Sequence, residues 1–146
     1  MKKTVLIIFG IISLVVVGTV IWWVSPKSFL SNVKSGEVAS IEVFNGNDGN
    51  RFIISEPNDI SFITDSIKLI SLKKDRISMG MGTTYNLRFL NTEGSEIDEF
   101  IIMTSSTIRK GIVFYECDGE LEQVEDYLIH LERVKYPDTP LLTGQE

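Results

Sequence analysis

The sequence predicts an α+β protein: a transmembrane helix at the N-terminus followed by a domain of order ββαβββα. Three observations lead there. An uncharged apolar run occupies residues 4–24, several short segments alternate apolar and polar residues, and two longer segments repeat apolar residues at helical spacing. Helices with one apolar stripe and strands with one apolar face have an economical solution. It is an antiparallel sheet of five strands with both helices on one side.

The N-terminal run, TVLIIFGIISLVVVGTVIWWV, has 21 residues with no charge and no proline. At about 1.5 Å per residue it covers roughly 31 Å, the hydrocarbon thickness of a bilayer. Lys2 and Lys3 precede it, and only Lys27 and Lys34 follow closely, so the positive-inside bias keeps the N-terminus cytoplasmic. Trp22 and Trp23 suit the aromatic belt, and Ser25-Pro26 ends the helix. A cleaved signal peptide would have a shorter core and a small-x-small site, whereas the exit here is Trp-Trp-Val-Ser-Pro-Lys. The single cysteine, Cys117, lies far from this segment and cannot be a lipidation site there. Gly10 and Gly18 are not at GxxxG spacing. The expected placement is a single-pass cell-membrane protein with residues 1–25 as an uncleaved anchor and the rest extracytoplasmic.

About 120 residues follow the anchor, enough for one domain with one core. Without Lys2 and Lys3 the chain carries 12 basic and 20 acidic residues, a net charge of −8. Such a balance argues against nucleic acid and against anionic lipid head groups as general partners. One cysteine allows no internal disulfide, so packing alone must hold the domain.

Residues 26–37 are short, polar and mixed, and read as a tether, with Phe29, Leu30 and Val33 able to form one further helical turn. Within the domain, residues 38–134, Ala39, Ile41 and Val43 alternate with Ser40 and Glu42. Asn45-Gly46 and Asp48-Gly49 then supply a hairpin turn before Phe52 to Ile54. Glycines between two strands serve the turn, and no helix follows at the spacing a phosphate loop needs. Residues 57–72 are expected to be a helix: Pro57 suits its first position, and Ile60, Ile63, Ile67 and Ile70 follow its period. Tyr85, Leu87 and Phe89 alternate in a third strand, residues 97–103 form a fourth, and residues 107–115 form a fifth with Gly111 as a bulge. A closing helix over 120–134 places Leu121, Val124, Leu128 and Leu131 on one side, and residues 135–146 form a frayed tail.

Candidate chemistry is sparse. His130 is the single histidine, with no partner spacing for a triad or a zinc site. Cys117 is flanked by Glu116 and Asp118, which disfavour a thiolate. Met79, Met81 and Cys117 are a remote soft-metal set, and Asn47, Asp48 and Asn50 lack the remaining ligands of a calcium loop. No enzyme activity, cofactor or metal is expected. The segment KKDRISMGMGTT is the least regular of the domain, and its Lys73, Lys74, Arg76, Met79 and Met81 form the candidate partner-contact loop.

The stretches IEVFNGNDGNRFIIS, EPNDISFITDSIKLI and YNLRFLNTEGSEIDEFII combine a Gly-rich hairpin, a Pro-started helix and an Asn-Thr-Glu-Gly turn. Over residues 38–134 this pattern resembles the YhfM-like domains on the outer surface of Gram-positive bacteria. The resemblance implies an extracytoplasmic bacterial domain without assigned activity, and it transfers no functional residue. Here an N-terminal helix takes the place of the lipidated cysteine of the lipoprotein members.

The functional expectation is a membrane-anchored accessory or protein-binding module at the cell surface. The alternative is a sensor or inhibitor that closes its 73–82 loop over a small ligand or peptide.

Overall fold

The computed structural model describes residues 2–25, 27–34, 36–77, 82, 84–119 and 121–136. Helix α1, Lys2–Val24, is continuous. Its window Ile7–Val24 is long and apolar enough to cross a membrane, and none of that window is buried against the rest of the chain. Thr19 returns its hydroxyl to the carbonyl of Val15 at 2.8 Å, so this polar group is satisfied within the helix.

The sheet has seven strands: β1 (Ser40–Asn45), β2 (Arg51–Ile54), β3 (Ser71–Ile77), β4 (Tyr85–Leu90), β5 (Glu96–Thr104), β6 (Thr107–Lys110) and β7 (Val113–Asp118). Their spatial order is β2-β1-β4-β5-β6-β7-β3, antiparallel throughout. The five-strand expectation falls short for two physical reasons. Gly111, at φ +59°, opens a tight Gly111-Ile112 turn that divides the run 107–115 into β6 and β7. Residues 71–77, assigned from sequence partly to a helix and partly to a loop, pair with β7 as an edge strand. Helix α2 (Pro57–Leu69) accordingly stops three residues short of the expected 72. It carries the chain from the β2 edge to the β3 edge.

One sheet face is apolar. Ile41, Val43, Leu87, Phe89, Phe100, Ile102, Ile108 and Leu72 lie in a single buried cluster with Ile60, Ile63 and Ile67 of α2. Helix α3 (Leu121–His130) adds Leu121, Val124 and Leu128 to the same cluster, so both helices cover the same side as expected. The outer face is charged: Arg88 bridges Glu42 at 2.9 Å and Glu96 at 3.0 Å. Such exposed pairs add little stability, and they keep the face wet.

The stretch read as a tether is docked instead. Lys27 and Leu72 exchange both main-chain hydrogen bonds, at 2.7 and 2.8 Å, which adds one bridge to the outer edge of β3. Phe29 packs on Phe100 and Tyr115, with ring centroids 5.3 and 5.2 Å away, and Leu30 and Val38 are buried. Leu30 holds φ +59°, an unfavourable backbone state for a branched side chain, which its burial offsets.

After α3 the ladder widens into a π-helical turn, Leu131–Lys135, and from residue 137 onward the tail expected over 135–146 lies outside the described residues. Glu132 points inward from this turn. Its carboxylate accepts hydrogen bonds from Asn45 Nδ2 at 2.9 and 3.1 Å, Asn50 Nδ2 at 3.2 Å and the Tyr85 hydroxyl at 3.0 Å. These groups tie the C-terminal turn to the β1–β2 hairpin and β4. The Tyr85 phenol is raised above its ordinary pKa by burial and by its bond to Glu132. Truncation in E132A strands two buried donors, on Asn45 and Tyr85, and is expected to cost about 2–3 kcal/mol, read as a lower denaturant midpoint with an unchanged slope.

Candidate functional site

Three of the five residues of the candidate contact loop, Lys73, Lys74 and Arg76, belong to strand β3, and Met79 and Met81 lie outside the described residues. The strand SLKKDRI hides its alternation because only Leu72 and Lys74 are buried, and one of those two is charged. A bulge between Lys74 and Arg76 further shifts its register against β7.

Lys74 joins the body to α1. It is 5 % exposed, and its ammonium donates to the carbonyl of Trp22 at 3.2 Å while lying over the Trp22 ring and 5.5 Å from that of Trp23. The last carbonyls of a helix have no partner within it and carry its negative dipole end, so an ammonium there is favourable. The indole faces add a cation–π attraction. Burial, helped by the nearby charge of Lys27, holds the Lys74 ammonium below the ordinary lysine range.

A second feature is a groove of about 250 Å³ between α2 and the 34–39 segment. Val38, Pro57 and Ile60 give it apolar walls, and Ser55, Ser61, Lys34 and Lys68 give it hydroxyls and amines. Thr64 also lines it, and its buried hydroxyl has no hydrogen-bond partner among the described residues. Buried hydroxyls are nearly always satisfied, so this one marks the groove for attention.

The remaining chemical groups are engaged in structure. Asp59 accepts from the Tyr127 hydroxyl at 2.8 Å and from Lys135 at 2.7 Å, and Lys135 also meets Glu56 at 2.5 Å. This cluster clamps the start of α2 to the end of the chain's last helix. His130 lies beside Tyr127, with ring centroids 6.4 Å apart. Burial raises the Cys117 thiol to about 11, opposed by a backbone hydrogen bond and helped by Glu116, so almost no thiolate exists at neutral pH. Among the described residues no group of three or more His, Cys, Asp or Glu side chains is arranged to hold a metal ion. The soft-metal set of Met79, Met81 and Cys117 falls mostly outside the described residues.

Burial opposes ionisation of Asp59, but the hydrogen bonds from Lys135 and Tyr127 outweigh it and hold the carboxyl below its ordinary range. The unfolded chain therefore binds more protons than the folded one between the two pKa values. The stabilisation is complete above the unfolded value of about 3.9 and is lost as pH falls through the folded value. Replacement in D59N should cost about 1–2 kcal/mol at pH 7. Denaturation as a function of pH should show that deficit closing below about pH 4.

No family model, no curated protein and no solved structure matches this chain.

Proposed function

We propose that the protein is a single-pass, membrane-anchored, extracytoplasmic module without catalytic activity, which holds its α+β body against the bilayer and contacts another protein there. One observation carries this reading. Helix α1 leaves its apolar side chains exposed along Ile7–Val24, yet Trp22 in its last turn accepts from Lys74 of the body, and Lys27 beyond the helix is bridged to Leu72. A soluble domain gains nothing from an uncovered apolar helix of this length, whereas a lipid-embedded one needs it. The lysines before the helix favour an outward body, and the resemblance to YhfM-like surface domains agrees with that side. A non-catalytic role is supported by the engagement of Glu132, Asp59 and Cys117 in packing and hydrogen bonds.

Full-length chain with a C-terminal epitope is expected to stay in the membrane pellet at alkaline pH, and protease added to intact cells should remove the epitope. An epitope digested only after lysis would reverse the orientation. A mature chain in the medium that starts beyond Trp23 would make the helix a signal peptide.

The ligand-sensor alternative moves from the 73–82 loop to the groove beneath α2, because residues up to Ile77 are strand and the Thr64 hydroxyl, without a partner among the described residues, lines the groove. Asp65 also lines it, 3.8 Å from the Lys68 ammonium, so Lys34 is the amine left to receive a small monocarboxylate between the apolar walls. Butyrate or hexanoate should then raise the melting temperature of the wild type and not of S61W, whose indole fills the groove. Equal shifts in both would remove the groove as a ligand site.

A further inference from the structure

We infer that one end of the sheet, built by the end of β3 and the β6–β7 turn, is a second membrane contact that seats on anionic lipid head groups; this rests on α1 being a membrane anchor. The registers define the surface. Lys110, Val113 and Ile77 stand opposite one another across β6, β7 and β3, and in the next row Arg109, Phe114 and Arg76 do the same. The two guanidinium groups lie 6.0 and 4.7 Å from the Phe114 ring.

Beyond the first row lies the Gly111-Ile112 turn. Ile112 is 54 % exposed and Ile77 is 59 % exposed, whereas the other exposed large apolar side chains of the described body, Phe62, Leu69 and Val134, sit on helical segments. Two exposed isoleucines flanked by Arg76, Arg109 and Lys110 form an amphipathic tip of the kind that enters a lipid interface.

The path of α1 puts the bilayer at that end. Lys27 pairs with Leu72, and Trp22 meets Lys74, so the chain followed backwards from residue 27 to 22 tracks β3 toward its Ile77 end. The Ile77 row lies about 7–10 Å past the Lys74 row, at roughly 3.3 Å per residue. Continued along that direction at about 1.5 Å per residue, α1 would clear it within six or seven residues, with most of the span beyond. The tip thus stands level with the helix turns just inside the Trp22–Trp23 belt.

Charge is segregated to match. Lys27, Lys73, Lys74, Arg76, Arg109 and Lys110 face four carboxylates here, Asp75, Asp98, Glu99 and Glu116, of which Asp75 pairs with Arg76 and Asp98 with Lys110. The local excess is two positive charges, while six cations and 16 carboxylates occupy the rest of the chain after the anchor. The β4–β5 turn, with Glu93, opens toward the same end. Four strand steps at roughly 20° each rotate β4 far from the direction of β3 and point that turn aside.

The test uses the full chain in a C117A background, reconstituted into vesicles carrying nitroxide lipids, with an NBD label at one introduced cysteine. In phosphatidylglycerol–phosphatidylcholine vesicles, headgroup nitroxides should quench I112C about twofold more than T92C or S105C, and the excess should fall in phosphatidylcholine alone. Equal quenching at the three positions, stronger quenching at T92C, or an I112C signal indifferent to phosphatidylglycerol would each overturn the proposal. Label at L14C reports the anchor separately. If mid-chain nitroxides leave it unquenched, the anchor reading itself fails and the tip proposal falls with it.

Discussion

The pair of main-chain hydrogen bonds between Lys27 and Leu72 fixes more of this molecule than any other local contact. Leu72 sits on the outer strand of a seven-stranded sheet, where unpaired amides and carbonyls invite another chain. Closing one bridge there covers part of the edge, ends the freedom of the segment after α1, and brings Phe29 and Leu30 onto the apolar face. It also sets Trp22 within reach of Lys74. A helix joined to a body by a dozen or so free residues could place that body anywhere near the bilayer. Joined through β3, the body is tied directly to the end of α1.

Polar side chains buried in the apolar face lock the other parts together. Glu132 receives its bonds from the hairpin and from β4, and Asp59 receives its bonds from Tyr127 and Lys135. Both carboxylates lie where the last helical segment meets an earlier element. Burying a charge is costly unless donors surround it, so each site tolerates few alternative dockings of the C-terminal helix. The apolar cluster supplies the attraction, and these carboxylates restrict how it can be assembled.

Much of this was legible in the sequence. The N-terminal apolar helix, the 45–50 hairpin turn, the proline start of α2, the β4–β5 pair and the closing helix all follow from local pattern, because each is decided by neighbours in the chain. Strand β3 was not legible, since its partner β7 is some forty residues away and its run of Lys, Lys, Asp and Arg resembles a solvated turn. The docked segment was hidden for a similar reason: Phe29, Leu30 and Val33 have no period among polar neighbours. The buried polar groups did leave a trace. Glu132 follows Leu128 by four, Asp59 precedes Ile63 by four, and Asn45 continues the Ile41, Val43 alternation. Each is a polar residue in an apolar phase, a pattern that marks a buried hydrogen-bonding site in the sequence itself.

Net charge is the point at which composition and structure part most sharply. An excess of eight negative charges, spread evenly, would repel a bilayer of anionic lipids. Screening confines each charge to roughly 10 Å, so a surface responds to the charges on it and not to the total. Lys74 and Lys27 at the end of α1, with Arg76, Arg109 and Lys110 around the β6–β7 turn, gather cations on the side from which the anchor leaves. The acidic majority falls on the helices, the hairpin turns and the Glu42–Arg88–Glu96 face. On the proposed reading, a body of this polarity would rest on the membrane by its basic end and turn a wet, acidic surface, suited to a basic partner, away from it.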